Sequence, residues 1–157
     1  MSSPDVPPTV RDFPGTGELA SLLPPPTEQS APFFDALREG RLVLQRCSGC
    51  NRVRGHIGPV CPYCSDESSS WQTMTGAGAV HSWIRYHRSY LPEFEPLMPY
   101  VVLCVMLDEG ARIFGRLVDA DRGGVPDPFP GMLVDTVFER WPDGGVVHAF
   151  TRRESKA

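Results

Sequence analysis

The stretch Cys47-Ser48-Gly49-Cys50-Asn51-Arg52-Val53-Arg54-Gly55-His56-Ile57-Gly58-Pro59-Val60-Cys61-Pro62-Tyr63-Cys64 holds four of the chain's five cysteines, as two C-x-x-C pairs ten residues apart. Two thiolates at i and i+3 on a tight turn can aim both sulfurs at one ion, and a second pair completes a tetrahedron. Gly49 leaves room for a positive-φ turn between the first two sulfurs, and Pro62 stiffens the second turn. The gap is shorter than the roughly 15–20 residues of the commonest four-cysteine zinc spacing, but ribbons vary widely there. Free thiols on unrelated turns, or disulfides, are the other readings. The pairing favours a metal knuckle with Zn2+ in a structural role.

Working outward, the 157-residue chain has the length of one domain or of one domain with a small appendage. Its longest apolar run, Tyr100 to Leu107, is far too short to span a bilayer. The N-terminus lacks the basic patch and apolar segment of a secretory signal, and reduced thiols suit a reducing compartment, so the expected location is the cytoplasm. A net charge of −4 argues against a phosphate-backbone partner. Local basic pairs, Arg85/Arg88 and Arg152/Arg153, would suffice for a small anion.

Residues 1–30 hold seven of the seventeen prolines, including Pro24-Pro25-Pro26, and read as a flexible or partner-clasping arm. Leu22 and Leu23 are its candidate docking point. Ser30 to Gly40 reads as a short helix, with Pro32 in the first turn and Gly40 at the C-terminal cap. Its apolar face carries Phe33, Phe34 and Leu37, which pack at home or on a partner. Arg41 to Arg46 is expected as a strand entering the first knuckle, and Val53 to Ile57 as its return. A ribbon this small lacks a hydrophobic core of its own, so metal binding is expected to supply its folding free energy.

From Trp71 onward the pattern is strands and turns. Trp71–Thr75 and Ala79–His87 flank Gly76-Ala77-Gly78, read as a bend in one long coiled strand. Tyr100–Leu107 and Ala111–Val118 form one hairpin across Asp108-Glu109-Gly110. Met132–Trp141 and Val146–Phe150 form a second across Pro142 to Gly145. Within the second, Met132, Val134 and Phe138 line the apolar face, with Asp135 and Glu139 on its companion. Five antiparallel strands without an intervening helix suit a small closed barrel of the oligonucleotide/oligosaccharide-binding (OB) type. The expected fold is therefore mainly β: a helix and rubredoxin-like zinc ribbon (31–68), then a five-stranded OB barrel (69–151) and a short tail (152–157).

Chemistry outside the knuckle is sparse. Cys104 reads as a buried small hydrophobe. Tyr86-His87-Arg88 leads into the long loop from Ser89 to Pro99 and is the candidate ligand contact, since loops on a small barrel carry recognition. No carboxylate pair, Ser-His-Asp order or phosphate-cradling glycine loop appears, and no catalytic residue is assigned.

The ordered set of Phe33-Phe34-Asp35-Ala36-Leu37-Arg38-Glu39-Gly40-Arg41-Leu42, the two cysteine pairs, Trp71, Gly76-Ala77-Gly78-Ala79-Val80, Pro99-Tyr100-Val101-Val102, Leu107-Asp108-Glu109-Gly110-Ala111-Arg112, Val137-Phe138-Glu139 and Phe150 resembles one known family. That family pairs a rubredoxin-like zinc ribbon with an OB-fold domain and is associated with acyl-CoA enzymes. The resemblance runs from about Pro32 to Phe150. It implies a structural Zn2+ on Cys47, Cys50, Cys61 and Cys64, and an accessory subunit that is not an enzyme on its own.

The implied partners are thiolase-fold aldolases of steroid side-chain breakdown, acyltransferases of polyketide chemistry, or hot-dog-fold enoyl-CoA hydratases. With one of these the chain would form a hetero-oligomer and help build the acyl-CoA channel. In that reading Phe33, Phe34 and Leu37 dock the partner, and Tyr86, His87 and Arg88 meet the CoA phosphates. Two other readings stand beside it: a single-stranded nucleic-acid binder stacking bases on Trp83 and Tyr86, and a rubredoxin-like electron carrier with iron in the same thiolates.

Overall fold

A computed structural model describes residues 10–15, 23–118 and 127–154. Leu22, half of the apolar pair in the arm, lies outside the described residues. The elements are β1 (Val10–Asp12), α1 (Ala31–Arg38), β2 (Val43–Cys47), β3 (Ser69–Thr73), β4 (Ala77–Tyr86), a 3-10 turn (Pro92–Leu97), β5 (Tyr100–Leu107), β6 (Arg112–Arg116), β7 (Leu133–Arg140) and β8 (Val146–Arg152).

Helix α1 stops where its sequence says it must. Gly40 takes φ +72°, its N–H donates to the Leu37 carbonyl, and the Arg41 N–H reaches back to the Ala36 carbonyl at 2.9 Å. Those are the two bonds of a Schellman cap, and the left-handed residue they need is cheap only as glycine. Ala36 and Leu37 are buried, with Phe33 and Phe34 packed against the same core.

β4 to β8 form the expected barrel. β5 pairs antiparallel with β4 and β6, while β7 pairs with β4 and β8. A parallel bridge from Leu117 to Phe150 and a 2.7 Å bond from the Val118 N–H to the Phe150 carbonyl close β6 onto β8. The spatial order β4-β5-β6-β8-β7 returns to β4, the ring of an OB fold. Along β5 the period of two separates inward Val101, Leu103, Val105 and Leu107, all fully buried, from outward Val102, Cys104 and Met106. Cys104 is buried as expected. Among the described residues no helix is long and apolar enough to cross a membrane.

Four expectations change. Val53 makes only a single bridge to Arg46, and the true partner of β2 is β3, in register from Val43/Thr73 to Cys47/Ser69. Residues 51–60 instead wrap the knuckle, with Gly55, Gly58 and Pro59 unsuited to a regular strand. β3 and β4 are not one coiled strand: Gly76, at φ +80°, breaks them, and they belong to separate sheets. The ribbon is not coreless, because Leu42, Leu44 and Val53 share one buried cluster with Leu103, Met132 and Phe150 of the barrel. Residues 10–12, read as part of the arm, form a strand parallel to β7.

Candidate metal centre and the surfaces around it

Each cysteine pair lies on a turn whose geometry follows from hydrogen bonding at the first sulfur-bearing residue. The Asn51 N–H donates to the Cys47 carbonyl at 3.1 Å, and the Ser65 N–H donates to the Cys61 carbonyl at 2.9 Å. The residue after each pair turns left-handed, Asn51 at φ 61° and Ser65 at φ 64°. The positive φ expected at Gly49 therefore falls elsewhere. Gly49 matters for space, since a Cβ there would lie 2.5 Å from an Asp66 carboxylate oxygen.

The four sulfurs lie within 4.8 Å of one another, with Cys47 and Cys64 Sγ 3.5 Å apart and Cys50 and Cys61 Sγ 3.7 Å apart. No pair is a disulfide. A tetrahedral zinc with Zn–S of about 2.3 Å requires sulfur separations of about 3.8 Å, so the residues fit the ion. Cys47, Cys50, Cys61 and Cys64 are thus positioned to hold it, and four protein ligands leave no open position for substrate.

Backbone dipoles prepare the charge. The Cys50 N–H, with that of Gly49, pulls the Cys47 thiol down to about 6, against burial. Burial raises Cys61, but the Tyr63 and Cys64 N–H groups outweigh it and its net direction is down. Cys64 receives the Asp66 N–H, yet burial and the three neighbouring sulfurs push it up to about 12. Because thiolates are the ligands, metal binding at these four sulfurs is coupled to proton release.

Two buried polar residues in the ribbon escaped the sequence reading. Arg54 is fully buried, donating to the Gly58 carbonyl at 2.9 Å and the Asp66 carbonyl at 3.2 Å. That Asp66 carbonyl also accepts the Cys61 N–H. Gln45 Oε1 accepts the Gly58 N–H at 3.0 Å. Arg54 therefore braces the loop between the cysteine pairs from inside. Only the burial distinguishes it from Arg46 or Arg52, and burial is not a local property.

The other candidates disperse. His87 and Arg88 border an open hollow of about 510 Å³ with Tyr90, Leu91 and Glu95. Tyr86 does not join them; it stacks on Tyr100, centroids 4.8 Å apart. Leu37 is 1% exposed and cannot reach a partner, which corrects its reading as a docking residue. The helix must bury that face against β2 and β8 to be stable. Phe33 and Phe34 are half-buried, Phe33 edge-on to His148 at 6.0 Å. Leu23 and Pro24–Pro26 line a groove of about 580 Å³ with Phe34, Arg38 and the β7–β8 turn.

Several exposed apolar side chains lie together on the outer face of the barrel. The pairs Ala79/Met106, Ala79/Leu133, Cys104/Phe114 and Ile84/Val102 share that face. Phe114 is 68%, Ile84 60% and Leu133 52% exposed. Alternation alone would have flagged these positions as outward, but not as uncovered.

Known proteins share this arrangement. Residues 34–69 match the model of the rubredoxin-like zinc ribbon domain of ChsH2, and residues 71–139 match that of its C-terminal OB-fold domain. A probable enoyl-CoA hydratase alpha subunit of Thermomonospora curvata is 44% identical over 88 residues, 55% of this chain and 26% of that protein. The chain therefore spans about a quarter of that relative's length. A DUF35 domain-containing scaffold protein of Methanocaldococcus jannaschii is 32% identical over 105 residues, 66% of this chain and 72% of that one. Among solved structures, a chain of the Ltp2-ChsH2(DUF35) aldolase superposes with a TM-score of 0.68 at 32% identity, covering 83% of this chain and 98% of that one.

Proposed function

The chain belongs to the DUF35 family of zinc-ribbon and OB-fold proteins, and on that premise we propose that it is a non-catalytic, zinc-binding accessory subunit of an acyl-CoA-processing enzyme. The observation that carries this is its likeness, over nearly the whole length of the relative, to a chain of the Ltp2-ChsH2(DUF35) aldolase. The relative described as an enoyl-CoA hydratase subunit supports the same class of partner. The partner in this reading is a thiolase-fold aldolase or acyltransferase, or a hot-dog-fold hydratase, acting in steroid side-chain or polyketide metabolism.

The zinc knuckle has a closed ligand set, so it contributes rigidity rather than chemistry. The outer face bearing Ile84, Met106, Phe114 and Leu133 is the surface we assign to the partner, because a contiguous exposed apolar face is costly unless covered. His87 and Arg88, at the end of the β4–β5 hairpin, are proposed to meet CoA phosphates at the shared interface. Glu95 borders the same hollow and restricts how closely a phosphate can approach.

Co-expression with candidate thiolase-fold and hot-dog-fold enzymes acting on acyl-CoA, followed by native mass measurement, tests the reading. A stable hetero-oligomer is expected, and Phe114→Asp should weaken it at least tenfold while leaving zinc content unchanged. A chain that stays alone with every such enzyme would overturn the proposal.

A further inference from the structure

OB barrels bind ligands on the face of their second and third strands, between the loop joining strands one and two and the loop joining strands four and five. Here those strands are β5 and β6, and the loops are residues 87–99 and 141–145. Phe13 fills the space between them. Its ring lies 5.5 Å from Phe94 of the first loop and 5.7 Å from Trp141 at the second, with the Arg116 guanidinium of β6 stacked over it at 5.5 Å. Phe13 is 7% exposed.

The approach to that position is a built track. β4 pairs with β7 only from Leu133 to Asp135, which leaves the β7 edge open beyond. Val10, Arg11 and Asp12 pair there with Phe138, Glu139 and Arg140, in parallel, and the Phe13 N–H donates to the Arg140 carbonyl at 2.8 Å. Gly15 then passes so close that a Cβ would lie 2.2 Å from the Phe13 ring and 2.5 Å from the Glu93 carbonyl. Backbone pairing along an open edge with a pocket for a side chain is how extended peptides are recognised by strand addition. The segment lies outside both family-model matches.

We infer that this barrel's ligand cleft is a peptide groove selective for an extended segment ending in Phe-Pro-Gly, and that the chain's own residues 10–15 are its resident ligand. While they are seated, the aromatic walls that would stack a nucleobase are covered, and oligonucleotides are excluded. The inference does not depend on the identity of any enzyme partner.

The test uses the full chain, unmodified and as Phe13→Ala, with a labelled peptide, acetyl-Val-Arg-Asp-Phe-Pro-Gly, followed by fluorescence anisotropy. In the unmodified chain the tethered segment competes at an effective concentration on the order of millimolar. The peptide should therefore bind Phe13→Ala at least tenfold more tightly than the unmodified chain, and a peptide with alanine for phenylalanine should bind neither. Equal binding to both chains, no binding to Phe13→Ala, or binding of oligothymidylate to the unmodified chain would overturn the inference. Hydrogen exchange on the unmodified chain needs no variant: the Phe13 amide should be protected at least tenfold, and exchange at the coil rate would also overturn it.

Discussion

The Arg116 guanidinium, stacked over the Phe13 ring, is ion-paired with the Glu139 carboxylate, their side chains only 13% and 5% exposed. A buried pair gains little over apolar groups of the same volume, but one partner left alone is an uncompensated charge. Glu139→Leu should therefore cost about 3–5 kcal/mol in urea unfolding, while the double variant Glu139→Leu/Arg116→Leu should cost clearly less. Additive losses would show that the two charges act independently.

Metal removal should act on the whole domain. Leu42, Leu44 and Val53 share a buried cluster with barrel residues, so ribbon and barrel have no separate cores. The purified chain should be colourless with a single zinc. Chelation or Cys61→Ser should lower the melting temperature in one transition followed equally by far-ultraviolet and tryptophan signals. Two resolved transitions would mean that the barrel stands without the ribbon.

The seam between ribbon and barrel has a sharper probe. A Cβ on Gly55 would lie 2.0 Å from the backbone carbonyl oxygen of Arg112, at the start of β6. Backbone cannot yield as a side-chain tip can, so Gly55→Ala should destabilise by about 1–3 kcal/mol. Zinc content measured on the folded variant should be unchanged.

Acid should weaken the fold through His148. Burial lowers its pKa below the ordinary 6.5, only partly opposed by the hydrogen bond to the Phe114 carbonyl, 2.8 Å from Nε2. The unfolded chain then binds the proton more readily, so the residue has little effect above about 6.5 and stability falls as pH drops below it. His148→Gln keeps a donor for Phe114 and should flatten that part of the stability–pH curve.

Much of this molecule is legible in short-range pattern. The C-x-x-C pairs, the Pro32 to Gly40 helix and the glycine turns at Gly110 and Gly144 each need only a few adjacent residues to define their geometry. The alternation of Met132, Val134 and Phe138 likewise marked a face that is buried. The readings that changed depend on distant chain. Val53–Ile57 had strand-like composition, but β2 found a longer partner in β3. Leu37 is unavailable to a partner because α1 packs it against β2 and β8.

The metal centre and the barrel's strands follow from thiolate spacing, alternation and turn residues, which act within a few bonds of one another. What the cysteine turns rest on and what fills the barrel's cleft depend on the closed fold. Gly49 is small because of Asp66, Arg54 is buried because the loop closes over it, and Phe13 reaches β7 from more than a hundred residues away. Burial and cross-chain contact are properties of the closed fold, and no local pattern encodes them.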